Sequence, residues 1–359
     1  MPAAQARDWV MEQLRTAAWA MCKVDLLTAG LAAAGTHSDR RFATVFVTTT
    51  DGLTLHVRRY GSRLAPALPL VCLPGLARTA ADFHPLAMAV ADDPAKPRLV
   101  LALDYRGHGR SEYDRNPDNY TLPVALADVS AVLIALEIAP AIFLGTSYGG
   151  LLAMMLAVRR PTAIAGVILN DVGPVMEPQG WVRIKRYVKE LPIPRNFEEG
   201  AEILRWWFDA QFPKLAPRDW IAFAQRTWRE HGGRLVLDYD LKLARTLQGA
   251  DLQHPPTLWN QFDALRRVPL MVIRGANSDV LAPTTLETML SRRNELEVAI
   301  VPDQGHAPLL VEPKLIRRIA AFAYRATFPP GCDGANGTNR NATGHENAIS
   351  HPPREVELG

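Results

Sequence analysis

The sequence predicts an α/β protein: one mostly parallel, eight-stranded sheet with helices on both faces, broken by an inserted all-helical cap. Three observations predict it. Short apolar runs alternate with amphipathic segments over residues 42–174, the alternation stops over 175–262 where strand signals vanish, and it resumes over 263–328. Apolar strands separated by helices imply parallel pairing, because right-handed crossovers place helices over both faces.

The first two strands, Phe42 to Thr50 and Leu53 to Tyr60, are rich in β-branched residues and meet at Asp51-Gly52, a hairpin signal. Pro69 to Leu73 is a short apolar strand that runs into Pro74-Gly75-Leu76, followed by a helix over Ala80 to Ala91. The strand Leu99 to Leu103 precedes a glycine-punctuated loop, Asp104-Tyr-Arg-Gly-His-Gly-Arg-Ser111. Leu122, Leu126, Val129, Leu133 and Leu136 mark a helix over Thr121 to Glu137. A strand from Ala141 then meets a helix that starts at Tyr148 and stops before Pro161, and Ile164 to Leu169 is the next strand. Within 175–262, Asn196 and Glu199 form a capping box, and further helices are expected over Pro217 to His231 and Tyr239 to Gln248. The sheet rhythm returns with Pro269 to Ile273, a helix from Pro283 to Arg292, the strand Leu296 to Val301 and a last helix, Pro313 to Tyr324.

Both termini stand apart from this core. Val10, Leu14, Ala17, Met21, Val24 and Leu31 form one helical stripe within a 1–41 extension. Charges run through that stripe, which argues against a signal peptide. Docking on the main domain or a partner subunit is expected, with weak peripheral membrane association through residues 9–34 as the alternative. Residues 329–359 are rich in Gly, Asn, Pro and His and read as a disordered tail.

Composition narrows the function classes. Net charge is +3 with no basic block, which gives nucleic acid no electrostatic footing. No stretch approaches the ~18 apolar residues of a membrane span. The cysteines, Cys22, Cys72 and Cys332, are odd in number and widely spaced, which points to reduced thiols in a cytoplasmic setting and to no metal site. No cofactor motif is present, and the oligomeric state is left open.

The chemistry centres on Gly145-Thr-Ser147-Tyr-Gly149. A strand that turns abruptly into a helix strains its central residue, and glycines two before and two after relieve the crowding. The hydroxyl then stands clear at a helix N-terminus. A serine needs a base, itself oriented by a carboxylate. His306, in Gln304-Gly-His-Ala-Pro308 after the last strand, is the expected base. His108 sits in a tight Gly-His-Gly turn and reads as a brace for neighbouring loops. Asp279, in Arg274-Gly-Ala-Asn-Ser-Asp279, is the expected orienting carboxylate, and Asp171, after the preceding strand, is its competitor. The chain order is therefore Ser, Asp, His. Oxyanion donors are expected from the backbone N–H groups of Tyr148 and of Leu76, where Gly75 permits close approach.

Taken together, Gly145-Thr-Ser147-Tyr-Gly149-Gly150, the Asp104–Ser111 loop, Arg274-Gly to Asp279, and Gly305-His306 resemble the α/β-hydrolase-fold serine hydrolases over Phe42 to Phe328. The resemblance implies a cofactor-free hydrolase and departs in one place, carrying Pro74-Gly75 where many relatives have His-Gly. Serine at the elbow counts against the carboxylate-nucleophile branches of the superfamily. Six of the eight tryptophans lie within 175–262. Most are expected to pack helices together, and the pocket they roof is expected to be apolar and aromatic. Arg183, Lys185 and Arg186 read as a solvated helix face, with an anionic substrate as the alternative. The expected activity is cleavage of a small apolar carboxylic ester or lactone through an acyl-enzyme. C–C hydrolysis of a vinylogous diketone is the catalytic alternative, and a non-catalytic ligand-binding protein is the other.

Overall fold

The computed structural model describes residues 41–247 and 257–328. Ten strands occur among the described residues, in chain order: β1 (Ala43–Thr48), β2 (Thr54–Tyr60), β3 (Ala67–Leu73), β4 (Arg98–Leu103), β5 (Ala141–Thr146), β6 (Ile164–Asn170), β7 (Trp228–His231), β8 (Arg234–Leu237), β9 (Leu270–Gly275) and β10 (Glu297–Val301). Eight of them form one sheet in the order β1-β2-β4-β3-β5-β6-β9-β10. The pairs β1–β2 and β2–β4 are antiparallel, and every later pair is parallel. This is the α/β-hydrolase arrangement that the resemblance implies.

The pleat explains why both faces are covered. Along β3 and β5, Val71 and Phe143 join a core with the helices Leu122–Ala135 and Tyr148–Arg159, whereas Leu70, Cys72, Ile142 and Leu144 join a second core with His84–Ala91 and Pro313–Thr327. Successive side chains of a strand point to opposite faces, so a strand that is apolar throughout must be covered twice. Each such leucine or isoleucine stabilises the fold by about 1.5–3 kcal/mol on full burial.

Parallel pairing also aligns the strand ends. Leu73 registers with Gly145, Thr146 with Asn170, Asn170 with Ile273, and Gly275 with Val301. The loops after β3, β5, β6, β9 and β10 therefore emerge side by side.

Between β6 and β9 the chain leaves the sheet for the helices Pro178–Glu190, Phe197–Phe208, Pro217–Gln225 and Trp259–Ala264. One difference from the all-helical expectation lies here. The helix expected to reach His231 stops at Gln225, and β7 and β8 follow as an antiparallel hairpin. Gly232 and Gly233 both have positive φ, 57° and 74°, which a two-residue type I′ turn requires. Buried Trp228, Leu235 and Leu237 give the hairpin an apolar side to pack. The segment expected as a helix from Tyr239 forms a 3-10 helix, Leu241–Leu247, and Gln248 lies outside the described residues. The N-terminal stripe and the C-terminal tail lie outside them too. No helix among the described residues is long and apolar enough to cross a membrane.

Candidate active site

Ser147 occupies the turn between β5 and the helix Tyr148–Arg159, with φ 50° and ψ −113°. This region is costly for any residue with a Cβ. Its surroundings over-determine it. The Ser147 N–H donates to the Asn170 carbonyl at 3.0 Å. A Cβ at position 149 would lie 2.1 Å from the Leu73 oxygen, and one at 145 would lie 2.4 Å from the Gly149 oxygen. Only glycine at both places lets the helix start this close to β3.

His306 lies in the loop after β10. Its Nε2 accepts from the Ser147 hydroxyl at 2.8 Å, and its Nδ1–H donates to Asp171 Oδ2 at 2.8 Å. An ionised carboxylate only accepts, which assigns the proton to Nδ1 and leaves Nε2 as the basic nitrogen. The His306 backbone N–H donates to Gln211 Oε1 at 2.7 Å. A Cβ on Gly305 would meet that same Oε1 at 1.9 Å, so glycine admits the clamp. Asn170 Nδ2 adds a hydrogen bond to the Pro308 carbonyl at 3.1 Å.

The carboxylate on His306 is Asp171, which corrects the expectation of Asp279. Asp171 is fully buried one residue beyond β6, with φ 58°. Its Oδ1 accepts from the Gly275 N–H at 2.8 Å, and its Oδ2 accepts from the Ser278 hydroxyl at 2.6 Å as well as from His306. The Ser278 oxygen in turn accepts from the N–H groups of Val280 and Leu281, so the loop after β9 is wound around Asp171. That winding turns Asp279 outward to Arg183, which donates through Nε and Nη2 at 2.6 and 2.7 Å. Gly180 makes the pairing possible: a Cβ there would lie 2.6 Å from the Asp279 carbonyl oxygen, so the helix Pro178–Glu190 rests directly on this loop. Burial pushes the Asp279 carboxyl up, but the Arg183 hydrogen bonds and charge outweigh it and hold the group below its ordinary value. No hydrogen bond joins Asp279 to His306.

Leu76 and Tyr148 line the cavity at Ser147, and neither N–H donates to another group among the described residues. Unengaged N–H donors beside a serine hydroxyl are what a developing oxyanion requires. His108 does brace this loop. Its Nδ1–H donates to the Arg106 carbonyl at 2.9 Å, and its Nε2 accepts from the Ala77 N–H at 3.1 Å. Burial lowers its pKa to about 4, with the Arg106 carbonyl working in the other direction, so it is a neutral strut.

Two arms open from Ser147. One, about 330 Å³ including its open mouth, is lined by Leu151, Met176, Trp181, Ile184 and Val280 and is apolar. The other, a cleft of about 820 Å³ including its open mouth, has Phe208, Phe212 and Phe223 in its wall beside Arg78, Asp82 and Arg226. Of the expected aromatic residues, Trp181 reaches the site, Trp220 and Trp228 are buried in the cap, and Trp206 is 73% exposed. Arg186 pairs with Glu190 at 2.9 Å on the surface, as a solvated face should, whereas Arg183 departs from that expectation: it lines the cleft and pairs with Asp279. Sequence reading missed Gln211, Arg78 and Arg226, which no motif marks.

Residues 70–319 match a model of the alpha/beta hydrolase family. The 3-hydroxybutyrate-oligomer hydrolase of Cupriavidus necator is 33% identical over 282 residues, which are 76% of this chain and 94% of that one. The sn-1-specific diacylglycerol lipase of Mus musculus is 33% identical over 251 residues, 68% of this chain and 76% of that one. Among solved structures, an alpha/beta hydrolase from Novosphingobium aromaticivorans is similar with a TM-score of 0.72 at 35% identity, covering 79% of this chain and 99% of that one.

Proposed function

The chain belongs to the alpha/beta hydrolase family, and from that premise we propose that it is a serine hydrolase of carboxylic esters acting through an acyl-enzyme. The observation that carries this reading is the unbroken hydrogen-bond relay from the Ser147 hydroxyl through His306 to Asp171, 2.8 Å at each step.

In the proposed cycle Ser147 Oγ attacks the ester carbonyl as His306 Nε2 takes its proton. Asp171 holds the imidazole in the Nδ1–H tautomer and stabilises the imidazolium. The N–H groups of Leu76 and Tyr148 receive the oxyanion, each contributing about 2.7–4 kcal/mol to lowering the barrier. Collapse breaks the bond to the leaving alkoxide, which departs as the alcohol with the proton from His306. Water, deprotonated by the same nitrogen, then attacks the acyl-enzyme and releases the acid and free Ser147. The apolar arm suits an alkyl or aryl portion of the substrate. Support for an ester over a diketone comes from the two relatives, named for hydrolysis of 3-hydroxybutyrate oligomers and of a diacylglycerol.

Replacing Ser147 with Ala is expected to lower kcat for a 4-nitrophenyl butyrate assay by a factor on the order of 10⁶. A fluorophosphonate is expected to add to the wild-type chain once, at Ser147, as read by peptide mass. Near-wild-type turnover by Ser147→Ala would falsify the assignment.

A further inference from the structure

The larger arm of the cleft holds an unusual charge arrangement. Arg78 and Arg226 both face a single carboxylate, Asp82. Arg78 takes most of it, donating through Nε to one oxygen at 2.7 Å and through Nη2 to the other at 2.5 Å. Its Nη1 reaches Thr227 Oγ1 at 2.7 Å, and its guanidinium lies over the Phe223 ring at 4.8 Å. Arg78 is thus fully accounted for. Arg226 is not: its side chain is 15% exposed, and its one ionic contact among the described residues is Asp82 at 3.4 Å. Burial pulls its pKa below the ordinary value and the nearby Arg78 adds to that, while Asp82 and, more weakly, Asp219 work against it. The third arginine of the cleft, Arg183, is neutralised by Asp279. Three arginines thus stand against two carboxylates, Asp82 and Asp279, and a largely desolvated cation that shares its partner costs free energy until a further anion meets it.

Resting on the serine-hydrolase reading, we propose that Arg226 is a substrate-binding residue that receives a carboxylate, so that the preferred substrates are acidic esters carrying a free carboxylate besides the bond cleaved. The placement suits this role. Arg78 and Asp82 follow directly on the oxyanion turn that carries Leu76, and Arg226 reaches them from the cap, next to Thr227. Ser147 and His306 line the same cleft. A guanidinium matches a carboxylate with two parallel N–H donors, which fixes orientation as well as charge. A substrate seated here is anchored at its anionic end, and the apolar arm on the other side of Ser147 takes the uncharged portion.

The test compares monomethyl adipate with its neutral counterpart dimethyl adipate, following ester loss by proton NMR in the full-length chain. Wild type is expected to favour the acidic ester in kcat/KM. Arg226→Gln is expected to reduce that preference by about tenfold or more, mainly through KM, while Arg226→Lys keeps part of it. An unchanged preference in Arg226→Gln overturns the proposal. Fluorophosphonate labelling of Ser147 in each variant separates this failure from failure of the nucleophile assignment, since labelling with unchanged preference rejects Arg226 alone. Should Arg226→Gln not fold, wild type decides by competitive inhibition: hexanoate is expected to bind about tenfold or more tightly than hexanamide, and equal binding overturns the proposal.

Discussion

A carboxylate that accepts from a backbone N–H, a serine hydroxyl and an imidazole at once is held in one orientation before any substrate arrives. Asp171 is in that state, through Gly275, Ser278 and His306. Asp279 spends both oxygens on Arg183 instead. The two aspartates therefore make opposite predictions. Asp171→Asn is expected to lower kcat by about 10⁴, because an amide no longer selects the Nδ1–H tautomer. Asp279→Asn is expected to lower it by less than about tenfold, because its carboxylate does not touch the imidazole. Steady-state turnover of 4-nitrophenyl butyrate by the two variants, each checked for its melting temperature, decides between them. A larger loss in Asp279→Asn would return the orienting role to that residue. Both aspartates are legible as strand-end acids. Choosing between them needs the rotation of each side chain about its backbone, which spacing does not encode.

At the scale of elements, the Asp104–Ser111 loop does the joining. Asp104 accepts from the Ala80 N–H and pairs with His56, both at 2.7 Å. Arg106 makes a two-pronged bond to buried Asp128. Gly109 N–H donates to the Asp238 carbonyl, and Asp240 N–H to the Gly107 carbonyl, both at 2.8 Å, which ties the cap to the core. His108 sits at the centre of this junction and is neutral. In the unfolded chain an imidazole protonates near pH ~6.5, and in the native loop near 4. The unfolded state therefore binds more protons between these values, and the contribution of His108 is complete above ~6.5 and fades as pH falls toward 4, by on the order of 3 kcal/mol. Asp238, whose carboxyl burial raises to about 6, acts in the opposite sense, so the informative quantity is a difference. The gap in urea unfolding free energy between wild type and His108→Gln is expected to shrink by about 2–3 kcal/mol from pH 7 to ~4.5. A gap independent of pH would remove the neutral-strut reading.

For the whole molecule, the cleft exists because a segment that is helical apart from the β7–β8 hairpin leaves the mostly parallel sheet after β6 and returns at β9. Arg183 and Asp279 close one side of that excursion, and Arg78 with Thr227 closes another. Arg183→Gln leaves a partly buried carboxylate without its cation, a loss of about 1–3 kcal/mol. Because Asp279 is held below its ordinary value, this contribution is present above the unfolded-state pKa and is lost as pH falls through the depressed one. Hydrogen exchange is expected to quicken over 178–190 in Arg183→Gln at neutral pH and to change little in β3 and β5. Unaltered exchange over 178–190 would mean that Gly180 and its apolar neighbours hold the helix without the ion pair.

The sheet, the order of its helices and the strained serine are legible in the chain because each rests on local chemistry: period-two and helical apolar patterns, glycines on either side of a turn, a histidine after the last strand. Three outcomes depended on tertiary structure. The helix expected to reach His231 yields to a hairpin because Gly232-Gly233 turns the chain and Trp228 finds a core to enter. Asp171 takes the place expected of Asp279 because Ser278 folds its loop inward while Arg183 draws Asp279 out. Arg226 acquires its surplus charge only when residues from two distant stretches meet over one carboxylate. Local patterns specify which elements form, whereas side-chain pairing across the cleft depends on distances that arise only when the cap closes over the sheet.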